Sequence, residues 1–157
     1  MGINDILNSL IYDRTQADVD YALSLERESV YAEEDLKGAY NCSDRNRIGS
    51  AINYLADGVK LLGGNVKDNW VETDTAKTTD NANTIACLKR LRQILSFGAE
   101  TDIPDDLDSL TYQKANAVER SLFETYSAYM WIADNMLLCG DGYSSDFDAY
   151  NHQMFDM

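Results

Sequence analysis

Residues 39–64, AYNCSDRNRIGSAINYLADGVKLLGG, decide the fold. Ile48, Ile52, Leu55, Val59 and Leu62 recur at alternating four- and three-residue steps, the apolar seam of a packed α-helix. Asn41 or Ser43 can cap it, since either side-chain oxygen can accept from a backbone N–H that has no partner in the first turn. Gly63-Gly64 stops it, because glycine tolerates the left-handed conformation past a helix end. The opening of this helix has a counterpart: Ala39–Ile48 begins one amphipathic segment and Leu110–Glu119 another. Each has a Tyr beside a capping polar residue, then an Asn just upstream of the apolar stripe. The same spacing separates Asn46 from Asn116 and Ile48 from Val118. An Asn one turn into a helix costs about half a kcal/mol relative to Ala. Each is therefore predicted to recover that cost with a hydrogen bond tying the helix start to the Tyr40 or Tyr112 segment before it.

Working outward, Ile3, Ile6, Leu7, Leu10 and Ile11 mark one face of a short N-terminal helix, with a break at Tyr12-Asp13. Thr15 and Asp18 have the spacing of a capping box with Asp in place of Glu, opening a helix lined by Val19, Ala22, Leu23 and Val30 and running to about Ala32. Asn65 to Thr79 is polar, has no helical period and is predicted to be a long loop pinned by Trp70. A helix is predicted from Asp80 to Phe97, with Ile85, Leu88, Leu91, Ile94 and Leu95 as its stripe and Lys89, Arg90 and Arg92 toward its C-terminal half, where the macrodipole favours them. Gly98 ends it. Thr101 to Ser109 is an acidic connector around the single proline, Pro104. Thr111 caps the longest helix, which runs to about Leu138 through Ala115, Val118, Leu122, Tyr126, Tyr129, Ala133 and Leu137. The fold class predicted is all-α: a bundle of about five helices over residues 1–140, then an irregular acidic and aromatic tail over 141–157.

At 157 residues the chain can bury a core without disulfide or metal. Its 45% hydrophobic content is too high for a disordered chain. No run of about 18 apolar residues exists to span a membrane. Met1-Gly2-Ile3-Asn4-Asp5 lacks the basic start of a signal peptide, so synthesis and folding in a cytoplasm are expected. The charge of −14, from 13 basic and 27 acidic residues, disfavours direct contact with nucleic acid or anionic membrane. It leaves two readings: solubility, or an acidic face for a basic partner.

Catalytic signatures are missing. His152, in the tail, is the one histidine, and no nucleophile motif accompanies it. Cys42, Cys87 and Cys139 are far apart, without zinc-ligand spacing, and are expected to be reduced, partly buried small hydrophobes. No phosphate-binding Gly-rich loop and no H-E-x-x-H occur. Asp141, Asp146 and Asp148 lack the order of a calcium-binding loop. The expectation is a protein with no enzymatic activity, cofactor or metal. Trp70 and the tail aromatics Tyr143, Phe147, Tyr150 and Phe155 are the candidate partner-binding residues.

Three stretches carry a family resemblance: Leu10–Leu23 (LIYDRTQADVDYAL), Leu36–Ile48 (with Tyr40-Asn41-x-x-Asp44-x-Asn46-Arg47-Ile48) and Leu110–Glu119 (LTYQKANAVE). With Tyr54-Leu55-Ala56-Asp57 and a Trp in the following loop, they resemble, in the same order, a group of helical proteins encoded near tail genes in phages and prophages of Gram-positive anaerobes. The likeness covers about four-fifths of the chain. It departs at Gly49, where the group more often has an acidic residue, and after Gly140. The resemblance implies a phage origin and a place in the virion, in the tail or baseplate, with other tail proteins or further copies of the chain as partners. The alternative class is an acidic inhibitor of the anti-defence kind, acting on a basic nucleic-acid-binding host protein.

Overall fold

The computed structural model describes residues 7–27, 36–61, 63, 78–95 and 99–138. Among them are four α-helices and no strand: α1 (Gln16–Arg27), α2 (Cys42–Leu61), α3 (Thr78–Ile94) and α4 (Tyr112–Leu138). The helix starts follow from the residues in front of them. At α1, the Thr15 N–H donates to Asp18 Oδ2 at 2.8 Å and the Asp18 N–H donates to Thr15 Oγ1 at 3.3 Å, the reciprocal pattern of a capping box. At α2, Asn41 Oδ1 accepts from the N–H groups of Ser43 (2.9 Å) and Asp44 (3.3 Å), while Asp44 Oδ2 accepts from the Asn41 N–H. At α4, Thr111 Oγ1 accepts from the Lys114 N–H. Past α2, Gly63 sits at φ +79° with open space where a Cβ would go, so backbone conformation alone calls for glycine there.

Helices α2, α3 and α4 pack on one another in pairs and enclose the core. Ile48, Ile52, Leu55 and Val59 of α2 meet Ile85, Leu88 and Leu91 of α3, with Leu95 just beyond it, and Val118, Leu122, Tyr126 and Tyr129 of α4; Leu10 and Leu107 join the same core. Most of the predicted seams are thus buried together; Ile94 and Ala133 are half-buried, and the side chains of Leu62 and Leu137 lie outside the described residues. The close approach of α2 to α4 depends on Gly58, where an added Cβ would lie 2.7 Å from the Tyr129 ring. The Tyr54 ring completes an aromatic cluster with Tyr126 (6.3 Å) and Tyr129 (6.5 Å, edge-on).

Four helices lie among the described residues, and the expected bundle of about five extends over residues outside them. Other expectations need correction. Residues 7–8 are helical, but Ile3, Ile6 and the rest of 1–6 lie outside the described residues. Thr78 and Thr79, assigned to the loop, are the first residues of α3; short polar side chains are at home in a first turn, where backbone N–H groups have no helical partner. That helix ends at Ile94, short of Phe97. Leu23, expected in the core, is 45% exposed, because α1 stands beside the three packed helices rather than between them. The acidic connector is not detached: Leu107 is buried in the core, Ile103 packs against it, and Lys89 and Lys114 pair with Asp105 and Asp106 at 2.9 and 2.8 Å.

Candidate functional site

The non-helical stretch Ile11–Thr15 crosses the first turns of α4 and is held there by two side chains one turn apart. Asn116 grips the main chain of Arg14 from both sides, its Oδ1 accepting from the Arg14 N–H at 3.0 Å and its Nδ2 donating to the Arg14 carbonyl at 2.9 Å. Glu119 Oε2 accepts from the Ile11 N–H at 2.6 Å. Side chains here do what a neighbouring strand would otherwise do. The hydrogen bond of Asn116 therefore goes not to the Tyr112 segment, as predicted, but to a stretch of chain 102 positions away. A local tie was expected from sequence proximity; the crossing segment supplies better geometry and two bonds.

The same crossing brings four charges together. The Arg14 side chain is 1% exposed and donates internally from each of its three nitrogens: Nε to the Lys37 carbonyl at 3.1 Å, one terminal nitrogen to the Ile11 carbonyl, the other to Asp44 Oδ1 (2.6 Å) and Glu119 Oε1 (2.8 Å). Arg47 forks onto Glu119 through Nε and Nη2, each at 3.0 Å, and its Nη2 also reaches Asp44. Glu119 is completely buried, and the Asp44 side chain is 5% exposed. Two guanidiniums and two carboxylates cancel, which is what allows such a cluster to sit out of water. Burial pulls the Arg47 pKa down, but the hydrogen bonds and charge of Glu119, then of Asp44, more than offset it and leave it raised. Tyr40 packs its ring near Arg14 (5.8 Å) and Arg45 (6.0 Å). Burial first, then the negative charges of Glu119 and Asp44, push its phenol well above the ordinary tyrosine value, so it remains a neutral hydroxyl. Gly38 lets this arrangement close: an added Cβ would lie 1.9 Å from the Asp18 carbonyl oxygen of α1.

Beside this network opens a cleft of about 500 Å³, whose lining includes Arg14, Gln16, Val19, Tyr40, Thr111, Tyr112 and Gln113. A second, smaller network lies two turns along α4, where Glu124 takes the N–H groups of Glu100 (3.1 Å) and Thr101 (3.0 Å), the Thr101 hydroxyl (2.5 Å) and Arg92 (3.0 Å). Burial raises the Glu124 pKa, but the Thr101 hydroxyl and N–H, Arg92 and the Glu100 N–H together bring it below the ordinary value. Arg120, four residues earlier on the same helix, is the more distant contact at 3.7 Å.

None of Arg14, Asp44, Arg47 and Glu119 was marked as a site in the sequence, although all four lie inside the three resembling stretches. The available signal was position: Glu119 directly follows the seam residue Val118, and Asp44 and Arg47 occupy the first turns of α2, ahead of its apolar seam. The predicted partner-binding residues Trp70, Tyr143, Phe147, Tyr150 and Phe155 lie outside the described residues, as do His152, Cys139 and the tail aspartates. Cys87 is half-buried and not in a disulfide. Among the described residues no three His, Cys, Asp or Glu side chains cluster as a metal site would require, and no helix is long and apolar enough to cross a membrane. The large apolar side chains left exposed are Tyr12, Tyr21, Leu23, Leu61, Phe123 and Trp131; Tyr12 and Phe123 pack ring to ring at 5.6 Å, and Trp131 is half exposed two turns further along α4. No protein-family model matches the chain, and no curated protein and no solved structure matches it.

Proposed function

We propose that the chain is a non-catalytic helical component of a phage tail or baseplate that works through protein–protein contact. One observation carries this reading. The polar residues that make up the resemblance (Arg14, Asn41, Asp44, Arg47, Asn116 and Glu119) turn onto one another and onto main chain, so their chemistry is consumed in holding the fold. A signature used in this way marks an architecture, here a bundle of about five helices with two related helix starts, and leaves function to the surface. α2 and α4 begin at corresponding positions of the two related stretches, after the caps Asn41 and Thr111. The exposed rings of Tyr12, Phe123 and Trp131 are of the type that anchors interfaces, and they join Trp70 and the aromatics of 143–155 as candidate contacts.

The alternative, an acidic inhibitor of a basic host protein, draws on the connector, where Glu100, Asp102, Asp105, Asp106 and Asp108 are all exposed. Mass spectrometry of purified virions separates the two. A fixed copy number in particles, held by contacts that persist in salt, is the expected result. Absence from particles, with co-purification of a host nuclease or polymerase in a complex that salt dissolves, would overturn the virion reading, since charge-driven docking is screened over about 8–10 Å at physiological ionic strength.

A further inference from the structure

The cleft beside the ion-pair network is built by all three of the stretches that stand out in the sequence. Gln16 and Val19 come from the first, Tyr40 from the second, and Thr111, Tyr112 and Gln113 from the third. The network explains why the buried charges of these stretches belong together. It does not account for the polar side chains among the residues that line the cleft. The phenols of Tyr40 and Tyr112 and the carboxamide of Gln113 make no hydrogen bond among the described residues, and Gln16 uses only its amide N–H, donated to Asp20 at 2.9 Å. Thr111 offers its hydroxyl hydrogen, since its oxygen accepts from Lys114. These groups stand at the wall of a recess whose volume, about 500 Å³, is within the range of small-molecule sites, roughly 300–1,000 Å³.

The lining decides the ligand class. Anions are disfavoured, because Arg14, the one charged group in the lining, has all three of its nitrogens engaged and its charge balanced by Asp44 and Glu119, on a chain of net charge −14. A cation finds no carboxylate in the lining. A peptide added as a strand needs free main-chain groups, and the main chain of Arg14 is already taken on both sides by Asn116. A purely apolar ligand would cover the half-buried Tyr40 phenol without a partner, at a cost of about 1–3 kcal/mol, and would make no use of the exposed Thr111 and Gln113 groups. What remains is a neutral molecule with apolar C–H faces for the tyrosine and for Val19, and hydroxyl or amide groups in several directions for the carboxamides and phenols. The Tyr40 phenol, held neutral, serves equally as donor and acceptor.

We infer that this cleft is a binding site for a short neutral oligosaccharide, either free or as the end or a segment of a glycan polymer. The inference rests on the cleft alone and does not require the virion role. Its test is a glycan array of neutral hexose and N-acetylhexosamine oligomers alongside sialylated and sulfated ones, followed by titration of the hits with the full chain, observed by NMR. Expected are shifts at Tyr40, Tyr112 and Gln113, and binding that weakens about three- to tenfold in Gln113→Ala, the scale of one lost hydrogen-bond partner. Gln113 is exposed, so this variant should melt with the parent chain. Tyr112→Phe, which keeps the ring, should bind better than Tyr112→Ala. Trp131→Ala, on the outer face of α4, should bind like the parent. Binding by none of the neutral glycans overturns the inference. So does binding that ignores Gln113→Ala and Tyr112→Ala, or a preference for the acidic glycans. Short free and polymer-linked forms of the same sugar then distinguish the two sources.

Discussion

Replacing Glu119 by Ala tests the ion-pair network at its centre. The carboxylate is fully buried, faces both guanidiniums at 2.8–3.0 Å and takes the Ile11 N–H at 2.6 Å. Without it, Arg14 and Arg47 share Asp44 alone, and a neutral buried cluster becomes one of net charge +1. Removing one partner of a buried pair costs about 3–5 kcal/mol. The orphaned Ile11 N–H adds about 1–3 kcal/mol, and because both effects act on one cluster they combine less than additively. The expected loss is about 3–6 kcal/mol, against a total stability on the order of 5–15 kcal/mol for a domain. At about 2–4 °C per kcal/mol for a chain of this size, Tm should fall by roughly 6–24 °C. Urea unfolding followed by circular dichroism measures it, as a lower midpoint at unchanged slope. Glu119→Gln should recover little, since an amide nitrogen must then face a guanidinium or the Ile11 N–H. The double change Arg47→Met with Glu119→Leu restores the charge balance with apolar groups and should be less damaging than Glu119→Ala alone. A loss below about 1 kcal/mol for Glu119→Ala, or a double variant worse than the single, would refute the network as a mutually dependent unit.

Leu55→Ala should cost about 2–5 kcal/mol by equilibrium unfolding, since Leu55 is 2% exposed in the middle of the α2 seam. Gly38→Ala should destabilise more than Gly58→Ala in the same assay: the new methyl meets the Asp18 main chain at 1.9 Å in the first case, and the Tyr129 ring, which can tilt, at 2.7 Å in the second. Glu124 gives a pH signature. Its folded-state pKa is below the ordinary 4.5, so the unfolded chain takes up the proton first; its contribution is present above that value and is lost as pH falls through the folded-state value. Glu124→Gln should therefore be less stable than the parent near neutrality and show a shallower loss between about pH 5 and the acid limit, read from urea midpoints across pH.

The helical core was legible because its signals are local. The step pattern of Ile48, Ile52, Leu55 and Val59 needs only one helix to be read, as do the caps at Thr15, Asn41 and Thr111. The network was not legible because each of its members carries a local meaning that competes with the real one. Asp44 reads as a first-turn acid, Arg47 as a solvated helix residue, Arg14 as a polar residue following a break, and Glu119 as the polar neighbour of a seam. What buries them is the passage of 11–15 across α4, which joins positions over a hundred residues apart and leaves no periodic trace. Asn116 shows the difference most plainly. A helix-internal Asn signals a compensating hydrogen bond, and one is there, but its partner is set by topology. The cleft was hidden for the same reason: Gln16, Tyr40 and Gln113 are unremarkable singly and acquire a common purpose only once three helix starts converge.

The way Ile11 and Arg14 are bound has a kinetic side. Their amides are protected not by a helical or strand ladder but by Glu119 and Asn116, across separations of 108 and 102 residues. Closing so long a loop costs chain entropy before any bond rewards it, which favours late docking, after α2, α3 and α4 have collapsed. A segment that docks late undocks first. Native-state hydrogen exchange should find the Ile11 and Arg14 amides opening together at a free energy below that of the amides inside α2. Asn116→Ala should accelerate unfolding while leaving the folding rate nearly unchanged. The N-terminal crossing would then act as a latch on a preformed bundle, the last part of the molecule to arrive and the one that sets how long the folded state lasts.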